Sequence, residues 1–253
     1  MQNNIDELIR RGSATAKAGF SNEKDVVDKF NAWKTDADAQ KWLLIMEYRL
    51  EEIEKIEAIK VTGSYKADVQ VKIKIYLKDA IAAENISIKL VSNPQGFNQI
   101  DKRWVDKYVE LWAIPENITH TLKLFTGEIE PNIDSSRDSR RIFLDEMPVK
   151  EQNDLINFFN LNKIMIIADI LKGRDKLAAA WMLIYQKDVG TWSLLPMSVV
   201  MNFYGSGKVA ITVQGSLKIG EITMQRKGGD GGRKTAQMLQ FKMNPCKIVN
   251  NKI

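Results

Sequence analysis

Three residues in neighbouring segments of the chain have side chains that could act together in chemistry. Asp68 begins a stretch of alternating polar and apolar residues, and Ser87 and Lys89 lie in the alternating stretch that follows it. Ser87 and Lys89 share one face of a strand, because strand side chains alternate with period two. If the two stretches pair as an antiparallel hairpin centred near Lys78–Asp79, Asp68 faces Lys89. The pattern D-x18-S-x-K then brings together a carboxylate, a hydroxyl and an amine, although an isolated strand lysine is ordinarily solvent-exposed.

The scarcity of histidine and cysteine limits the chemistry open to the chain. It has one histidine, His120, and one cysteine, Cys246, so a zinc site made of several His or Cys ligands is excluded. No G-x-S-x-G nucleophile motif accompanies His120, which we interpret as structural. Hydrolytic chemistry would therefore use carboxylates, lysine and a hard metal ion. A single cysteine excludes an internal disulfide and fits a reducing cytoplasm.

Positive charge is concentrated in the last third of the chain. Residues 171–253 hold 13 Lys or Arg and 4 Asp or Glu, a net charge of +9, against −4 for the remaining 170 residues. This asymmetry indicates a polyanionic partner. No basic amphipathic helix is evident, no segment approaches 18 consecutive apolar residues, and the N-terminus has no apolar signal segment. We therefore expect a cytoplasmic protein that binds nucleic acid rather than a membrane.

The elements that must position these residues alternate between helices and strands. Apolar spacing predicts helices over 22–33, with Ser21 as N-cap, and over 36–55, with Thr35 as N-cap. Further helices are predicted at 101–113, at 150–160 and from Pro196 to Gly205, and strands at 68–77, 86–91, 163–168, 177–186, 208–213 and 216–226. This order predicts a single α/β domain, 1–253, with a mixed β-sheet flanked by helices. Its catalytic core would cover about residues 20–170, and its basic part residues 171–253.

The segment that follows the strand of Lys89 could contact a nucleic acid. It is predicted to be a loop over 92–102 and carries Phe97 near its tip. Phe97 could be a wedge between base steps or a buried apolar plug. Asn98 and Gln99 have amides able to read base edges, and Lys102 would contact a phosphate or a guanine.

The segment QRKGGDGGRKT (225–235) combines four cations with four glycines. It departs from the phosphate-binding pattern G-x-x-x-x-G-K-[ST], because Arg233 separates Gly232 from Lys234, and YGSGKV (204–209) also departs from it, so we reject nucleotide hydrolysis. A solvated turn is one interpretation. We prefer close backbone approach to DNA, with cations directed at guanines and phosphates. The residues expected to contact DNA here are Gln225, Arg226, Lys227, Arg233 and Lys234.

Four segments together resemble one known family. GFSNEKD (19–25), KLVSNPQGFNQIDKRW (89–104), NFYGSG (202–207) and ITMQRKGGDGGRKTAQMLQFK (222–242) resemble the HinP-type type II restriction endonucleases in order and spacing. These enzymes are relatives of MspI in the PD-(D/E)xK superfamily and cut GCGC. The resemblance runs, with short gaps, from about residue 12 to residue 245. It implies a PD-(D/E)xK restriction-endonuclease-like core.

The resemblance assigns roles to the D-x18-S-x-K residues. The metal-binding aspartate of the family falls on Asp68, and its catalytic lysine falls on Lys89. The family has Gln-x-Lys where this chain has Ser87, which joins the catalytic set. Asp68 and Lys89 sum to zero charge, and a hard dication prefers several oxygen ligands, so we expect another acid to contribute. Glu23 is the first candidate, for a second of two Mg²⁺ ions, and Glu110 is another.

The implied function is Mg²⁺-dependent hydrolysis of double-stranded DNA at a short GC-rich palindrome, GCGC, leaving a 5′-phosphate. A bacterial host would need a cognate methyltransferase for protection. A palindrome favours a homodimer, although a monomer could nick each strand in turn. Two alternatives on the same fold stay open: a sequence-specific DNA-binding protein disabled by Ser87, and a DNA-repair or junction nuclease that prefers mismatched or branched DNA.

Overall fold

The strands of the protein form two separate five-stranded sheets. The computed structural model describes residues 22–61, 70–131, 137–229 and 233–250. The described residues divide into two units: those of the first lie within 22–98, 171–201 and 244–250, and those of the second lie within 99–170 and 202–243. Each sheet belongs to one unit. The predicted α/β architecture with helices flanking a mixed sheet is confirmed, with two sheets in place of one.

The sheet of the first unit is mixed, and its strand order is β1-β2-β3-β5-β6. Its strands are β1 (Ile53–Val61), β2 (Gln70–Leu77), β3 (Ile81–Val91), β5 (Trp181–Gln186) and β6 (Thr191–Pro196). β1, β2 and β3 are antiparallel neighbours, as are β5 and β6, whereas β3 and β5 run parallel. A parallel pair needs a long crossover, and the chain between β3 and β5 includes residues 99–170 of the second unit.

One face of this sheet carries the core of the first unit. Val71, Ile73 and Ile75 alternate inward on β2 and are fully buried, as the sequence pattern predicts. They share a hydrophobic cluster with side chains of helices α1 (22–31) and α2 (Ala37–Ile45). Trp42 of α2 is central, with its ring centroid 5.2 Å from those of Phe30 and Trp192.

The prediction of one helix over 36–55 is wrong. Helix α2 ends at Ile45, and Asp36, not Thr35, caps it by accepting a hydrogen bond from the Ala39 amide at 2.9 Å. Strand β1 begins at Ile53, and its register shifts between Ile53 and Lys55. Such a bulge inserts an extra residue, so Ile53 and Ile56 are both buried at a spacing of three that imitates a helix. The other predicted cap, Ser21, lies outside the described residues.

The sheet of the second unit has the strand order β4-β10-β9-β8-β7. Its strands are β4 (Asn98–Arg103), β7 (Val209–Ile211), β8 (Leu217–Ile219), β9 (Ile222–Arg226) and β10 (Leu239–Met243). Helices α3 (Val105–Trp112), α4 (Glu116–Thr126) and α5 (Val149–Leu161) belong to the same unit. Its core includes Tyr108 and Trp112 of α3, whose rings stack at 4.6 Å, with Phe241 of β10 edge-on to both.

The remaining helices are α6 (Lys163–Leu171), α7 (Met197–Gly205) and α8 (Cys246–Asn250). The predicted helix from Pro196 to Gly205 is confirmed by α7, and that at 150–160 by α5. The strand predicted at 163–168 is wrong, because this stretch is part of α6: Ile166, Ile167 and Ile170 are buried while Ile164 is exposed. A short apolar run does not distinguish a buried strand from a helix.

Three further predictions need corrected boundaries. Helix α3 begins at Val105, not 101, because Asn98–Arg103 is strand β4 instead of the end of a loop. The strand predicted over 177–186 begins at Trp181. The strand predicted over 216–226 is two strands, separated where Gly220 turns with φ +59°. A Cβ at Gly220 would lie 2.4 Å from the Tyr204 carbonyl oxygen, so this turn requires glycine. Within the described ranges, no helix has the length and apolar composition needed to span a membrane.

Candidate active site

Ser87 and Lys89 are buried on the face of β3 opposite the first unit's core. In the parallel register Ser87 lies beside Met182 and Lys89 beside Ile184 of β5. Ser87 is 1% exposed and Lys89 is 3% exposed. Lys89 is thus not a solvated strand lysine. A buried amine is costly unless it interacts with other polar groups, so Lys89 is a candidate for a functional role.

The hydroxyl of Ser87 has an unused hydrogen-bonding capacity. Its Oγ is buried and has no hydrogen-bond partner in the part of the chain that the structure describes. Buried polar atoms nearly always have a partner. The Ser87 oxygen is therefore available to a bound group on the same sheet face as Lys89.

The register of β2 and β3 meets the condition set for Asp68. Gln70 pairs with Ser87 and Tyr76 pairs with Ile81, so the hairpin is centred between Lys78 and Asp79. Asp68 itself lies outside the described residues. Its position opposite Lys89 stays a prediction. The hairpin register that this prediction required is the one that the structure has.

The two other acids proposed for a metal are engaged in ion pairs. Glu23, at the start of α1, is buried, and its Oε2 lies 2.6 Å from the Lys60 amine. Lys60 pairs with Val71, so it projects from the core face of the sheet and not from the face of Ser87. Glu110, on α3 of the second unit, is exposed and lies 2.9 Å from the Lys107 amine. The metal-binding roles of both acids stay predictions.

The donor set of this face fits a magnesium site only in part. Mg²⁺ takes oxygen ligands, keeps several waters and usually binds through one or two carboxylates. The Ser87 hydroxyl is one suitable oxygen. Across the described ranges, no three His, Cys, Asp or Glu side chains are grouped as metal ligands. Asp68 is the carboxylate that the sequence predicts for this face.

The loop after β3 holds Phe97 at the surface. Phe97 is 53% exposed, which excludes the buried-plug interpretation. A turn precedes it, in which the Gly96 amide donates to the Asn93 carbonyl at 2.8 Å. The Asn98 amide nitrogen donates to the Leu90 carbonyl at 2.9 Å, which holds the end of this loop to the end of β3 within the first unit. Gln99 and Lys102 of β4 are partly exposed.

The basic glycine-rich segment connects β9 to β10 in the second unit. Gln225 pairs with Gln240 and Arg226 with Leu239. Gly228 and Gly229 both have φ +63°, with open space where a Cβ would stand. Arg233 and Lys234 are exposed. Left-handed glycines with open space around them are typical of backbone that approaches a ligand closely, although residues 230–232 lie outside the described ranges.

The sequence reasoning missed a group of charged residues near Arg226. Asp138 forms ion pairs with Arg140 and with Arg141. The charge of Arg140 also helps to lower the pKa of Arg226, after the larger effect of burial. The available signal was the three arginines within residues 137–141. A loop rich in serine and arginine does not by itself show which of its cations converge.

Comparisons with known proteins identify the class of protein to which this fold belongs. Its structure is similar to the crystal structure of restriction endonuclease MspI in complex with its cognate DNA, with a TM-score of 0.61, 13% sequence identity, and 94% of this chain and 95% of that chain covered. At that identity the likeness shows the fold. The chain belongs to the R.HinP1I restriction endonuclease family, whose model matches residues 46–249. Curated protein sequences gave no match.

The protein is therefore a site-specific deoxyribonuclease of the type II restriction class, and DNA is its substrate. The family resemblance, the enzyme class and the restriction-endonuclease fold predicted from the sequence are confirmed.

Proposed function

We propose that this enzyme hydrolyses double-stranded DNA at the palindrome GCGC with Mg²⁺, using Asp68, Ser87 and Lys89. The observation that carries the proposal is the buried pair on β3. Ser87 and Lys89 share one sheet face, and the Ser87 oxygen has no partner within the described residues. The preference for GCGC is supported by family membership and by the reading segments already quoted.

Each residue of the site has a distinct chemical role. Asp68 and Ser87 would hold Mg²⁺, which when bound neutralises charge on the phosphate and lowers the pKa of a coordinated water. The Lys89 amine orients the attacking water, helps to remove its proton and stabilises the negative phosphate. In-line attack on phosphorus leaves the phosphate on the 5′ end.

A second Mg²⁺ would be held by Glu23 or Glu110. Glu23 would first have to exchange its ion pair with Lys60, 2.6 Å away, for the metal. Glu110 would exchange its exposed pair with Lys107, which costs little because exposed ion pairs contribute about 0–1 kcal/mol.

The DNA would be read by the two segments predicted from the sequence. The exposed ring of Phe97 suits a wedge between base steps, with Asn98, Gln99 and Lys102 next to it in the chain. Gln225, Arg226, Lys227, Arg233 and Lys234 would contact bases and phosphates of the site. A palindromic site suits a homodimer, and a cognate methyltransferase would protect host DNA.

The test is cleavage of unmodified plasmid DNA with Mg²⁺ and with EDTA, followed by mapping of the ends. We expect discrete fragments ending at GCGC with 5′-phosphates, only with Mg²⁺. Asp68→Ala should abolish cleavage, and Lys89→Ala should slow it by about 10²–10⁴-fold. Lys74→Ala is the matched control, because Lys74 is an exposed lysine of the neighbouring strand β2 and should cleave normally.

Three outcomes would overturn parts of this proposal. Specific binding without cleavage in Mg²⁺ or Mn²⁺ would indicate a disabled enzyme, and Ser87→Gln would then test whether the serine is the cause. Preference for branched or mismatched DNA would indicate a junction or repair nuclease. Cleavage at every sequence would retain the metal chemistry and refute the reading segments.

A further inference from the structure

Two arginines of the second unit share a single carboxylate, and a third arginine lies near them. Arg140 donates two hydrogen bonds to Asp138, from Nε at 2.8 Å and from Nη2 at 3.0 Å. Arg141 Nε lies 3.4 Å from the same carboxylate. The charge of Arg140 lowers the pKa of Arg226, and the charge of Arg226 lowers the pKa of Arg141, in each case after the larger effect of burial. Arg226 therefore lies near the other two arginines. The group of Arg140, Arg141, Arg226 and Asp138, here called the arginine cluster, has a net charge of +2.

Contacts with the protein fix two of these guanidinium groups. Arg141 stacks on the ring of Phe143 at 3.9 Å and lies 5.8 Å from that of Phe125. Arg226 Nε donates to the Thr126 carbonyl at 2.7 Å, at the C-terminus of α4. Within the described ranges, the two Nη groups of Arg226 have no hydrogen-bond partner. Arg140 is different, since its side chain is 71% exposed and pairs with Asp138. Contacts with the protein therefore hold Arg141 and Arg226 in place, whereas Arg140 is exposed.

A neighbouring arginine pairs with a different set of acids. Arg137 also lies against the Phe143 ring, at 4.3 Å. It pairs with two carboxylates, those of Asp145 and Glu146. Arg137 thus has two carboxylates of its own, whereas Arg140 and Arg141 share the carboxylate of Asp138.

The cluster adjoins both ends of the basic glycine-rich segment. Arg226 directly precedes Lys227 and Gly228 in the chain. At the other end, the Gln237 amide nitrogen donates to the Gly127 carbonyl at 2.6 Å. Gly127 has φ +79°, and a Cβ there would lie 2.3 Å from the Arg140 carbonyl oxygen, so a glycine is required where the Arg140 backbone passes α4. The end of α4 therefore anchors the segment and the cluster together.

We propose that Arg140, Arg141 and Arg226 bind a phosphate of the DNA backbone, and that Asp138 is their counter-ion in the free enzyme. Guanidinium groups match the geometry of phosphate oxygens and bind them through paired hydrogen bonds. Arg140 would leave Asp138 for the phosphate, while Arg226 and Arg141 receive it in place. The proposal rests on DNA as substrate and is independent of GCGC as the site.

The experiment measures binding of the full chain to a fluorescent GCGC duplex and to a scrambled duplex, in EDTA, across a series of salt concentrations. Arg140→Ala and Arg226→Ala should each weaken binding to both duplexes by the same factor. Each should also reduce the slope of log Kd against log salt by about 0.9, the value for one phosphate contact. Asp138→Asn should strengthen binding to both duplexes, because it removes the competing anion.

Two controls separate this contact from general charge and from folding. Arg140→Lys retains the charge at an exposed position and should retain the salt slope. Lys150→Ala removes one cation of the same unit from an exposed pair with Asp154 and should leave the slope unchanged. Thermal unfolding of each variant would show that it is folded.

Unchanged salt slopes in both alanine variants would overturn the proposal. So would weaker binding by Asp138→Asn, because Asp138 would then be a supporting residue and not a competitor. If Arg226→Ala loses the preference for the GCGC duplex and keeps its salt slope, Arg226 contacts a base and not a phosphate, which also contradicts the proposal. If the wild-type enzyme shows no preference for GCGC, the proposed recognition sequence is wrong. The salt slopes of the variants would still test the phosphate contact.

Discussion

At the scale of single residues, the candidate site depends on a buried hydroxyl that has no hydrogen-bond partner among the described residues. An unsatisfied buried hydroxyl costs about 1–3 kcal/mol of stability, so Ser87 as an inert core residue would be a net loss. If the Ser87 oxygen serves a bound metal, this cost is offset when the site is loaded. The same residue is then unfavourable for folding and favourable for function.

Replacing Ser87 with alanine separates these two contributions. We expect Ser87→Ala to slow cleavage on the order of 10–100-fold, the usual effect of losing a group that tunes a metal site. Its free energy of unfolding should stay equal or rise by about 1 kcal/mol, because no hydrogen bond among the described residues is lost. Urea unfolding without metal and cleavage rates at a series of Mg²⁺ concentrations measure the two effects.

Ser193 offers a matched control on the same sheet face. It lies on β6 opposite Ile184, which is beside Lys89 on β5. Ser193→Ala should retain both activity and stability. Normal cleavage by Ser87→Ala over the whole Mg²⁺ series would show that its hydroxyl has no part in the reaction.

The residues of the catalytic strand were predictable because a few local rules determine their arrangement. Period-two alternation places Ser87 and Lys89 on one face, and the length of the turn sets the register of the hairpin. Their burial was not predictable, since it depends on β5, which pairs with β3 across about 90 residues of sequence. The convergence of Arg140 and Arg226 has the same origin, because no local pattern links residues so far apart.

At the scale of elements, one side-chain hydrogen bond holds the Phe97 loop to the end of β3 within the first unit. The Asn98 amide nitrogen donates to Leu90 across this loop, and the Asn244 side chain supports the loop by donating to the Pro94 carbonyl at 2.8 Å. Asn98 is therefore a structural residue of the loop, in addition to its predicted role in reading DNA.

We expect Asn98→Ala to lower the free energy of unfolding by about 1 kcal/mol, the usual contribution of one such hydrogen bond. Because the loop that presents Phe97 would be loosened, affinity should fall equally for a GCGC duplex and a scrambled one. Gln99→Ala is the comparison, since the adjacent amide has no side-chain hydrogen bond within the described ranges and its loss should change only the preference between duplexes. If Asn98→Ala instead removes the preference at full stability, Asn98 reads a base.

Errors in predicting elements came from patterns that two structures share. A bulge at the start of β1 gave its buried residues a spacing of three, and an apolar run in α6 resembled a buried strand. In both segments the correct structure depends on packing against distant parts of the chain. The helix α5 was predictable because its apolar stripe is long enough to exclude a strand.

At the scale of the whole molecule, the proposed catalytic residues lie in one unit and the basic reading segment lies in the other. Ser87 and Lys89 belong to the first unit, together with Phe97, and Gln225–Lys227 and Arg233 belong to the second. The positively charged part predicted from composition, residues 171–253, is divided between the two units, because residues 171–201 belong to the first unit and 202–243 to the second. Composition identified the partner class, but not the division of the strands into two sheets, which no sequence signal marks.

This division predicts that cutting and reading can be lost separately. Lys89→Ala should slow single-turnover cleavage by about 10²–10⁴-fold, the range for a residue that transfers or orients a proton, and retain the affinity ratio between a GCGC duplex and one with a single base pair changed. Arg233→Ala should reduce the free-energy difference between binding of the two duplexes by about 1–3 kcal/mol, the value of one good base contact. It should retain the cleavage rate once DNA is saturating. Titrations in EDTA and single-turnover rates in Mg²⁺ measure the two quantities on the same variants, with Lys150→Ala as the control that changes neither. If Lys89→Ala also loses the affinity ratio, the lysine reads or holds the site as well as acting on it, and the two functions are not separable in this protein.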